Sequence, residues 1–296
     1  MTTLPQTTFS SRRGLMAYLG DLWRYRDLLY NLTVRDLKVR YKNSVLGILW
    51  SLLNPLLMML VFTFAFTVMI PQNIPHFSVF LLAGLLPWNF FSGTVISAAN
   101  QIVANGHLIK KVYFPREALP ISTVLSNSVN FLLSLIPLAL FLILSGIGFT
   151  EHLLWLPLIF AIQLLLLLGL SLILSALTVF YRDMVMVLDV AILGLFFLSP
   201  VFYPMELIQR EATIMGIVVP VERLVRWLNP MASIVDSYRT VVYGVLKYPP
   251  DQAPIYYSPA EPEIYFLLRT GLTALIIFLI GAWFFRRVSS TFGEEV

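Results

Sequence analysis

The chain of 296 residues is 58% hydrophobic and only 12% charged, with a formal net charge of +4 and no cysteine. A soluble domain needs more charge than this to cover its surface, so the composition indicates an integral membrane protein. The lack of cysteine excludes disulfides and thiolate metal sites. Because about 20 apolar residues cross the ~30 Å hydrocarbon core, the chain is long enough for several crossings.

The N-terminal segment, residues 1–45, lacks an apolar core followed by a small-residue cleavage site, so we expect no removable signal peptide. It contains a predicted amphipathic helix. On a helix, Trp23, Tyr30, Val34, Leu37 and Tyr41 form one stripe. A cationic stripe lies about 100° further round. It contains Arg24, Arg35, Lys38 and Lys42. Aromatic and cationic stripes side by side are typical of a helix in the membrane interface, where it gathers anionic headgroups or braces a cytosolic partner. The alternative is a basic flank that only orients the first span.

Uncharged apolar runs, interrupted by clusters of Pro, Gly and Asn, predict an all-α fold with six transmembrane helices. The first five lie within residues 46–205, and the sixth belongs to the C-terminal segment 263–296, which ends in a cytosolic tail. The fifth span ends where Pro200 and Pro204 disturb the helix. The six predicted spans are about 46–70, 78–100, 119–145, 153–180, 185–205 and 264–285.

The distribution of lysine and arginine predicts that both termini are cytosolic. Basic residues lie in the N-terminal segment, in the loops after the second and fourth spans, and in the tail. The short loops 71–77 and 146–152 on the opposite side contain none. Basic residues mark the cytosolic side of a multi-pass membrane protein.

Two loops have unusual compositions. In loop 105–117, Asn105 and Gly106 can begin a short helix that Pro115 ends, leaving an apolar patch on a hydrophilic loop. Such a patch favours a partner, although the loop could instead fold back on the bundle. Residues 206–262, on the outer side, contain apolar pieces too short to span. We expect short helices there that dip into the outer leaflet or cap it.

The sequence contains no pattern of an enzyme active site. It has no G-x-x-x-x-G-K-[ST] phosphate loop, so we do not expect this chain to bind ATP in the usual way. His76, His107 and His152 are scattered over different loops, and no catalytic or metal-binding constellation stands out. Aromatic residues cluster in PWNFF and GLFFLSPVFYP. Most such rings simply pack, but rings along a path could stack on the C–H faces of sugars.

Five ordered motifs resemble the permease subunit of ABC-2-type polysaccharide exporters, also called type V exporters. They cover nearly the whole chain. These motifs are LTVRDLKVRYKNSVLGILWSLLNPLL, LIKKVYFPREALP, FYRDM, FFLSPVFYP and LNPMASIVDSYRTVVYG. Members of this family export O-antigen, capsule or teichoic acid chains. The substrate that the resemblance implies here is a polysaccharide linked to polyprenyl diphosphate.

The resemblance implies a homodimer in the bacterial cytoplasmic membrane, bound to two ATP-binding cassette subunits that hold ATP and Mg²⁺. This chain would bind no cofactor and no nucleic acid. The N-terminal helix would be the family's interface helix, and segment 206–262 its re-entrant helices. The cations expected to meet the lipid diphosphate are Arg35, Lys38, Arg40 and Lys42. The residues expected to dock the ATPase are Leu108, Ile109, Lys110, Lys111, Val112 and Tyr113. The aromatics expected along the glycan path are Trp50, Trp88, Phe90, Phe91, Phe196, Phe197 and Tyr203.

Three other functions remain open from the sequence. One is an ABC-2 exporter of drugs or small lipids. The second is a membrane-embedded transferase acting on polyprenyl-linked sugars, which would need convergent acids or a histidine near one membrane face. The third is a scaffold that recruits an ATPase without transport.

Overall fold

A computed structural model describes residues 25–42, 44–71, 73–111, 114–208, 212–214, 217–247 and 254–295. These residues are mostly helical, which confirms the predicted all-α membrane fold. The helices in chain order are α1 Arg26–Tyr41, α2 Trp50–Phe64, α3 Phe77–Ala104, α4 Gly106–Lys111, α5 Ala118–Leu144, α6 Leu156–Phe180, α7 Met184–Leu198, α8 Val221–Leu228, α9 Pro230–Val242, α10 Ile264–Val288 and α11 Phe292–Glu295.

Among the described residues, five helical segments are long and apolar enough to cross a membrane. They are Gly47–Met69, Phe77–Ala104, Ala118–Leu144, Glu151–Phe180 and Ile264–Thr291. Each lies at one of the predicted spans, because a long apolar run without charge fixes both the position and the length of a crossing. Short 3₁₀ or π segments extend α2, α6 and α10 to these lengths.

The fifth predicted span is shorter in the structure than the sequence indicates. We expected about 185–205, but α7 has 15 residues and ends at Leu198. Ser199 is extended, with ψ of 141°, because the ring of Pro200 disfavours helical backbone at the preceding residue. At 1.5 Å per residue, α7 is about 22 Å long and shorter than a ~30 Å hydrocarbon core. The count of six crossings therefore stays a prediction.

Helix α3 lies at the centre of the bundle, and α2 lies at its edge. We compare the most apolar 18-residue stretch of each segment. In α3, 78% of that stretch is buried, but in the segment containing α2 only 11% is buried. Helices α6 and α10 approach closely where two glycines face each other. A Cβ on Gly281 would lie 2.5 Å from the carbonyl oxygen of Gly169, so no larger side chain fits without moving the helices.

The segment between α7 and α10 contains the expected short helices and two short antiparallel ladders that we did not predict. Strand β1 (Ala212–Ile214) pairs with β2 (Ile217–Val219), and β3 (Val245–Lys247) pairs with β4 (Ile255–Tyr257). Three residues are too few for a strand pattern to appear in a sequence. Helix α9 packs into the bundle against α3, α6 and α10.

Helix α9 also carries a buried cation that reaches the break after α7. Arg239 is 4% exposed and donates to the carbonyl oxygens of Val201 at 2.8 Å and Tyr203 at 3.0 Å. Its guanidinium lies 3.9 Å from the ring centroid of Phe80. These contacts satisfy backbone carbonyls that the helix break leaves without intrahelical partners.

Helix α1 packs along α5. Leu32 is the buried residue of α1, and it packs in a cluster with Ile109, Leu119 and Phe285. Within the aromatic stripe of the sequence analysis, Tyr30 is 69% exposed, whereas the Tyr41 hydroxyl donates to Asn130 of α5. The position of the stripe at the membrane interface stays a prediction. Trp23 and Arg24 lie outside the described residues.

Candidate functional site

A cavity of about 370 Å³ lies between α1, α2, α3 and α5. Its walls combine amides and hydroxyls with aromatic and aliphatic side chains. The residues that line it are Arg40, Tyr41, Trp50, Ser51, Asn54, Pro55, Leu86, Asn89, Phe90, Gly93, Asn127, Asn130, Phe131 and Ser134.

The end of α1 is fixed to this cavity by two side-chain hydrogen bonds. Arg40 Nη1 donates to Asn127 Oδ1 at 2.8 Å, and the Tyr41 hydroxyl donates to Asn130 Oδ1 at 2.7 Å. Asn127 and Asn130 are three residues apart on α5, so they present their amides on one face of that helix. Asn127 Nδ2 in turn donates to the carbonyl oxygen of Thr123 at 3.0 Å.

The middle of α1 is held by Asp36, which bridges three elements. Its Oδ1 accepts from Arg35 Nη2 at 2.9 Å. Its Oδ2 accepts from Gln101 Nε2 of α3 at 3.2 Å and from the Ser122 hydroxyl of α5 at 3.3 Å. Half-buried carboxylates of this kind are stabilised by several donors at once.

The four cations predicted for a lipid headgroup are therefore in three different environments. Arg35 is ion-paired with Asp36. Arg40 lies at the cavity, bonded to Asn127. Lys38 and Lys42 are exposed and have no ion pair within the part of the chain that the structure describes. Two free cations and one cavity cation thus lie at the C-terminal end of α1.

A band of aromatic rings connects α2, α3 and the α7 region. Phe196 lies 5.6 Å from Trp88, 6.5 Å from Phe62 and 5.5 Å from Phe202, measured between ring centroids. Phe66 continues the band, 5.7 Å from Phe202 and nearly parallel to it. We call these five residues the aromatic band. Phe62, Phe66 and Phe202 were not among the predicted aromatics.

The predicted path aromatics divide between the band, its edges and other positions. Trp88 and Phe196 belong to the band. Phe91 and Tyr203 each contact one of its rings, and Phe197 contacts two. Phe90 instead stacks on Phe131 at 5.0 Å in a buried group at the cavity wall. Trp50 lies at the cavity and is 47% exposed.

The predicted docking loop forms helix α4. Ile109 is 7% exposed and packs in the bundle cluster that includes Leu32, whereas Lys110 and Lys111 are exposed. Leu108 is half-buried against the same cluster. The apolar side of the described helix thus faces the bundle, and its lysines face outward. Val112 and Tyr113 lie outside the described residues.

Sequence reasoning missed Asp36 and the amides of the cavity. The pattern SNSVN in the third predicted span, together with Asn54 and Asn89 in the first two, is the feature that could have revealed them. Polar side chains inside membrane helices are costly and mark functional positions. The amides carry no charge, so a pattern of charged residues does not reveal them.

Comparison with known proteins defines the class of this protein. The family model described as ABC-2 type transporter matches residues 27–243. The chain therefore belongs to the ABC-2 type transporter family, whose motifs the sequence analysis had identified.

The particular relatives within that family are permeases with assigned cargo. The chain is 42% identical over 230 residues to "O-antigen export system permease protein RfbA" of Myxococcus xanthus, covering 77% of this chain and 85% of that one. It is 31% identical over 273 residues to the protein of the same name from Klebsiella pneumoniae, covering 90% and 94%. It is 27% identical over 189 residues to "Polysialic acid transport protein KpsM" of Escherichia coli, covering 61% and 71%.

Proposed function

We propose that this chain is the membrane-spanning permease subunit of an ATP-driven exporter. Its cargo would be a polyprenyl-diphosphate-linked polysaccharide, such as an O-antigen or a teichoic acid, carried across the bacterial cytoplasmic membrane. The observation that carries this proposal is the 42% identity to an O-antigen export permease over 85% of its length. Helices suited to crossing a membrane and the cations of α1 agree with it.

The cations of α1 suit the anionic headgroup of such a cargo. Lys38, Arg40 and Lys42 lie together at one end of α1, and the lysines have no carboxylate partner among the described residues. A diphosphate presents several charged oxygens, which lysine and arginine bind through charge-assisted hydrogen bonds. Because Asp36 already neutralises Arg35, we assign Arg35 to orienting the helix and the other three to the headgroup.

The aromatic band supplies a surface for the glycan. Its rings are spaced 5.5 to 6.5 Å apart along the contact of α2 and α7 with α3. Stacking of sugar C–H faces on rings is weak and tolerant of ring identity, which suits a chain that must slide. Helices α2 and α7 expose apolar faces beside the band, including Val61, Phe64 and Val190. We propose that a second copy of the chain covers part of these faces and completes the path.

ATP hydrolysis is assigned to two separate ATP-binding cassette subunits that hold ATP and Mg²⁺. The sequence has no phosphate loop of its own. These subunits would dock from the cytosol on the loop that contains α4, where Lys110 and Lys111 face outward. ATP binding would close the pair and shift the docked loops, which biases the bundle between two states. This arrangement requires both termini to be cytosolic.

Transport in proteoliposomes tests the proposal. The permease, reconstituted with the ATPase encoded beside it, should move radiolabelled lipid-linked glycan to the opposite leaflet only when ATP is present. The permease alone should be inert, and directional transport by it would contradict the assignment of the motor. Failure of the wild-type complex to move any lipid-linked glycan would contradict the assignment of the cargo.

A pair of charge reversals tests the headgroup role. Lys38→Glu with Lys42→Glu should lower the transport rate at least tenfold while leaving the ATPase bound, because the diphosphate would meet two like charges. Arg182→Glu is the matched control, since Arg182 is also exposed and lies in another loop of the predicted cytosolic side. An equal loss of transport in both variants would show a general effect of charge and would contradict the headgroup role of Lys38 and Lys42.

A further inference from the structure

We infer that the cavity between α1, α2, α3 and α5 is a binding subsite for one sugar ring of the lipid-linked glycan, the ring next to the diphosphate. This inference rests on the proposed function and assigns a second role at the same end of the bundle. The diphosphate would lie at the cations of α1, and the first sugar would enter the cavity.

The amides of the cavity have unused hydrogen-bonding capacity. The amide Nδ2 of Asn130 is buried and has no partner. Asn54 is exposed and Asn89 is half-buried, and their side chains make no hydrogen bond to any part of the chain that the structure describes. The buried Asn130 donor is unfavourable without a partner, and such groups usually serve a ligand or an ordered water. An amide offers both donors and an acceptor, which matches neighbouring hydroxyls on a sugar.

Proline changes the backbone bonding of the same wall. Pro55 lies inside α2 and has no N–H, so it cannot donate to the carbonyl oxygen of Ser51 four residues earlier. Ser51 and Pro55 both line the cavity. The regular hydrogen bonding of α2 is thus interrupted beside Asn54.

The remaining walls suit the apolar faces of a neutral ring. Phe90 and Phe131 are stacked with an interplanar angle of 18°, and both line the cavity. Trp50 lies on the α2 side and is 47% exposed. Arg40 is the charged residue among the described lining residues, which include no carboxylate. The cavity therefore favours a neutral, hydroxyl-rich group inside and an anionic group at Arg40.

The size and position of the cavity limit what it can take. A volume of about 370 Å³ is at the small end of ligand pockets, which measure roughly 300–1,000 Å³. It suits one or two rings and excludes a polymer. Asn127 and Ser134 are nine and sixteen residues after Ala118, the first residue of α5. At 1.5 Å per residue, the cavity therefore lies about 14 to 24 Å along α5, measured from Ala118. It lies beside the C-terminal end of α1.

Equilibrium binding to the permease–ATPase complex in nanodiscs tests the inference. The probes are undecaprenyl diphosphate, bare or carrying one glucose, galactose or N-acetylglucosamine. At least one glycosylated lipid should bind tenfold or more tightly than the bare lipid. In a variant with Asn54→Leu and Asn89→Leu, the ratio of the affinity for the glycosylated lipid to the affinity for the bare lipid should fall to within twofold of unity. The affinity for the bare lipid should be unchanged.

Two further variants separate the sugar from the headgroup. Arg40→Gln should weaken binding of all four lipids alike and preserve the ratio between them. Asn100→Leu is the matched control, because Asn100 is on α3 but bonds to the carbonyl oxygen of Ile96 and does not line the cavity. Asn100→Leu should change neither the affinities for the lipids nor the ratio between glycosylated and bare lipid.

The outcomes distinguish this inference from the proposed function. Equal affinity of the wild type for all four lipids, or a ratio that survives the double asparagine variant, overturns the sugar subsite while leaving export intact. A wild-type complex that binds none of the four lipids contradicts both.

Discussion

Replacement of Asp36 by alanine should detach α1 from the bundle without unfolding the bundle. The carboxylate of Asp36 is the point at which α1 is bonded to both α3 and α5, through Gln101 and Ser122. The rest of the bundle is packed around α3, and it does not depend on this carboxylate. The change should therefore act locally.

The expected magnitude follows from the separate contacts of Asp36. The side chain of Arg35 is 37% exposed, so its ion pair with Asp36 is screened and contributes about 0–1 kcal/mol. The bonds from Gln101 and Ser122, at 3.2 and 3.3 Å, are long for charge-assisted bonds, so we take about 1 kcal/mol for each. The total of about 2–3 kcal/mol corresponds to a roughly 30- to 140-fold larger population of detached helix.

Hydrogen exchange measures this population directly. In the Asp36→Ala variant, amides of α1 between Leu32 and Tyr41 should exchange roughly 30- to 140-fold faster, while amides of α3 keep their wild-type rates. Asp27→Ala is the matched control on the same helix. Asp27 is 92% exposed in its side chain and lies 3.8 Å from Arg26, so its removal should leave exchange unchanged.

Two results would refute the reasoning. Unchanged exchange in α1 would mean that Leu32 and the bonds of Arg40 and Tyr41 hold the helix without Asp36. Equal acceleration throughout the bundle would mean that Asp36 contributes to global stability and not to the attachment of one helix.

Two further predictions concern helix packing and ATPase docking. Gly281→Ala should destabilise the chain by about 1–3 kcal/mol and lower its thermal unfolding midpoint in detergent, because the new methyl would lie 2.5 Å from a backbone oxygen of α6. The control is Gly194→Ala, because a Cβ at Gly194 meets nothing within 4 Å. It should not lower the midpoint. Lys110→Glu with Lys111→Glu should reduce co-purification of the ATPase subunit at least tenfold, whereas Arg182→Glu should leave it unchanged. Full ATPase recovery with both α4 lysines reversed would place the docking surface elsewhere.

The positions of the long spans could be predicted because they depend on a property of the sequence alone. A run of about 20 apolar residues without charge has one favourable location, whatever its neighbours are. The end of α7 depends on a local steric effect instead. Pro200 was recognised as a disturbance, but the expected span continued through it to 205, and the helix in fact ends before it, at Leu198.

The attachment of α1 to the bundle could not be obtained from periodicity, because it depends on polar contacts. Asp36 accepts from side chains of α3 and α5, and Tyr41 donates to a side chain of α5. Such groups need partners in a low-dielectric surrounding. Partners 65 to 89 residues away in sequence are invisible to a local pattern.

The contacts of α1 place the candidate docking helix and the cavity at opposite ends of one rigid element. Ile109 of α4 packs in a cluster that includes Leu32 and is contacted by Leu28 and Leu29 near the start of α1. Two turns beyond Leu32, Arg40 and Tyr41 hold the amides of Asn127 and Asn130. Because close-packed side chains transmit displacement with little compression, a shift of α4 moves the helix whose far end positions the cavity amides. Asn130 accepts from Tyr41 through its Oδ1, and its Nδ2 has no partner. Helix α1 and a bound sugar would therefore share the Asn130 side chain and influence each other through it.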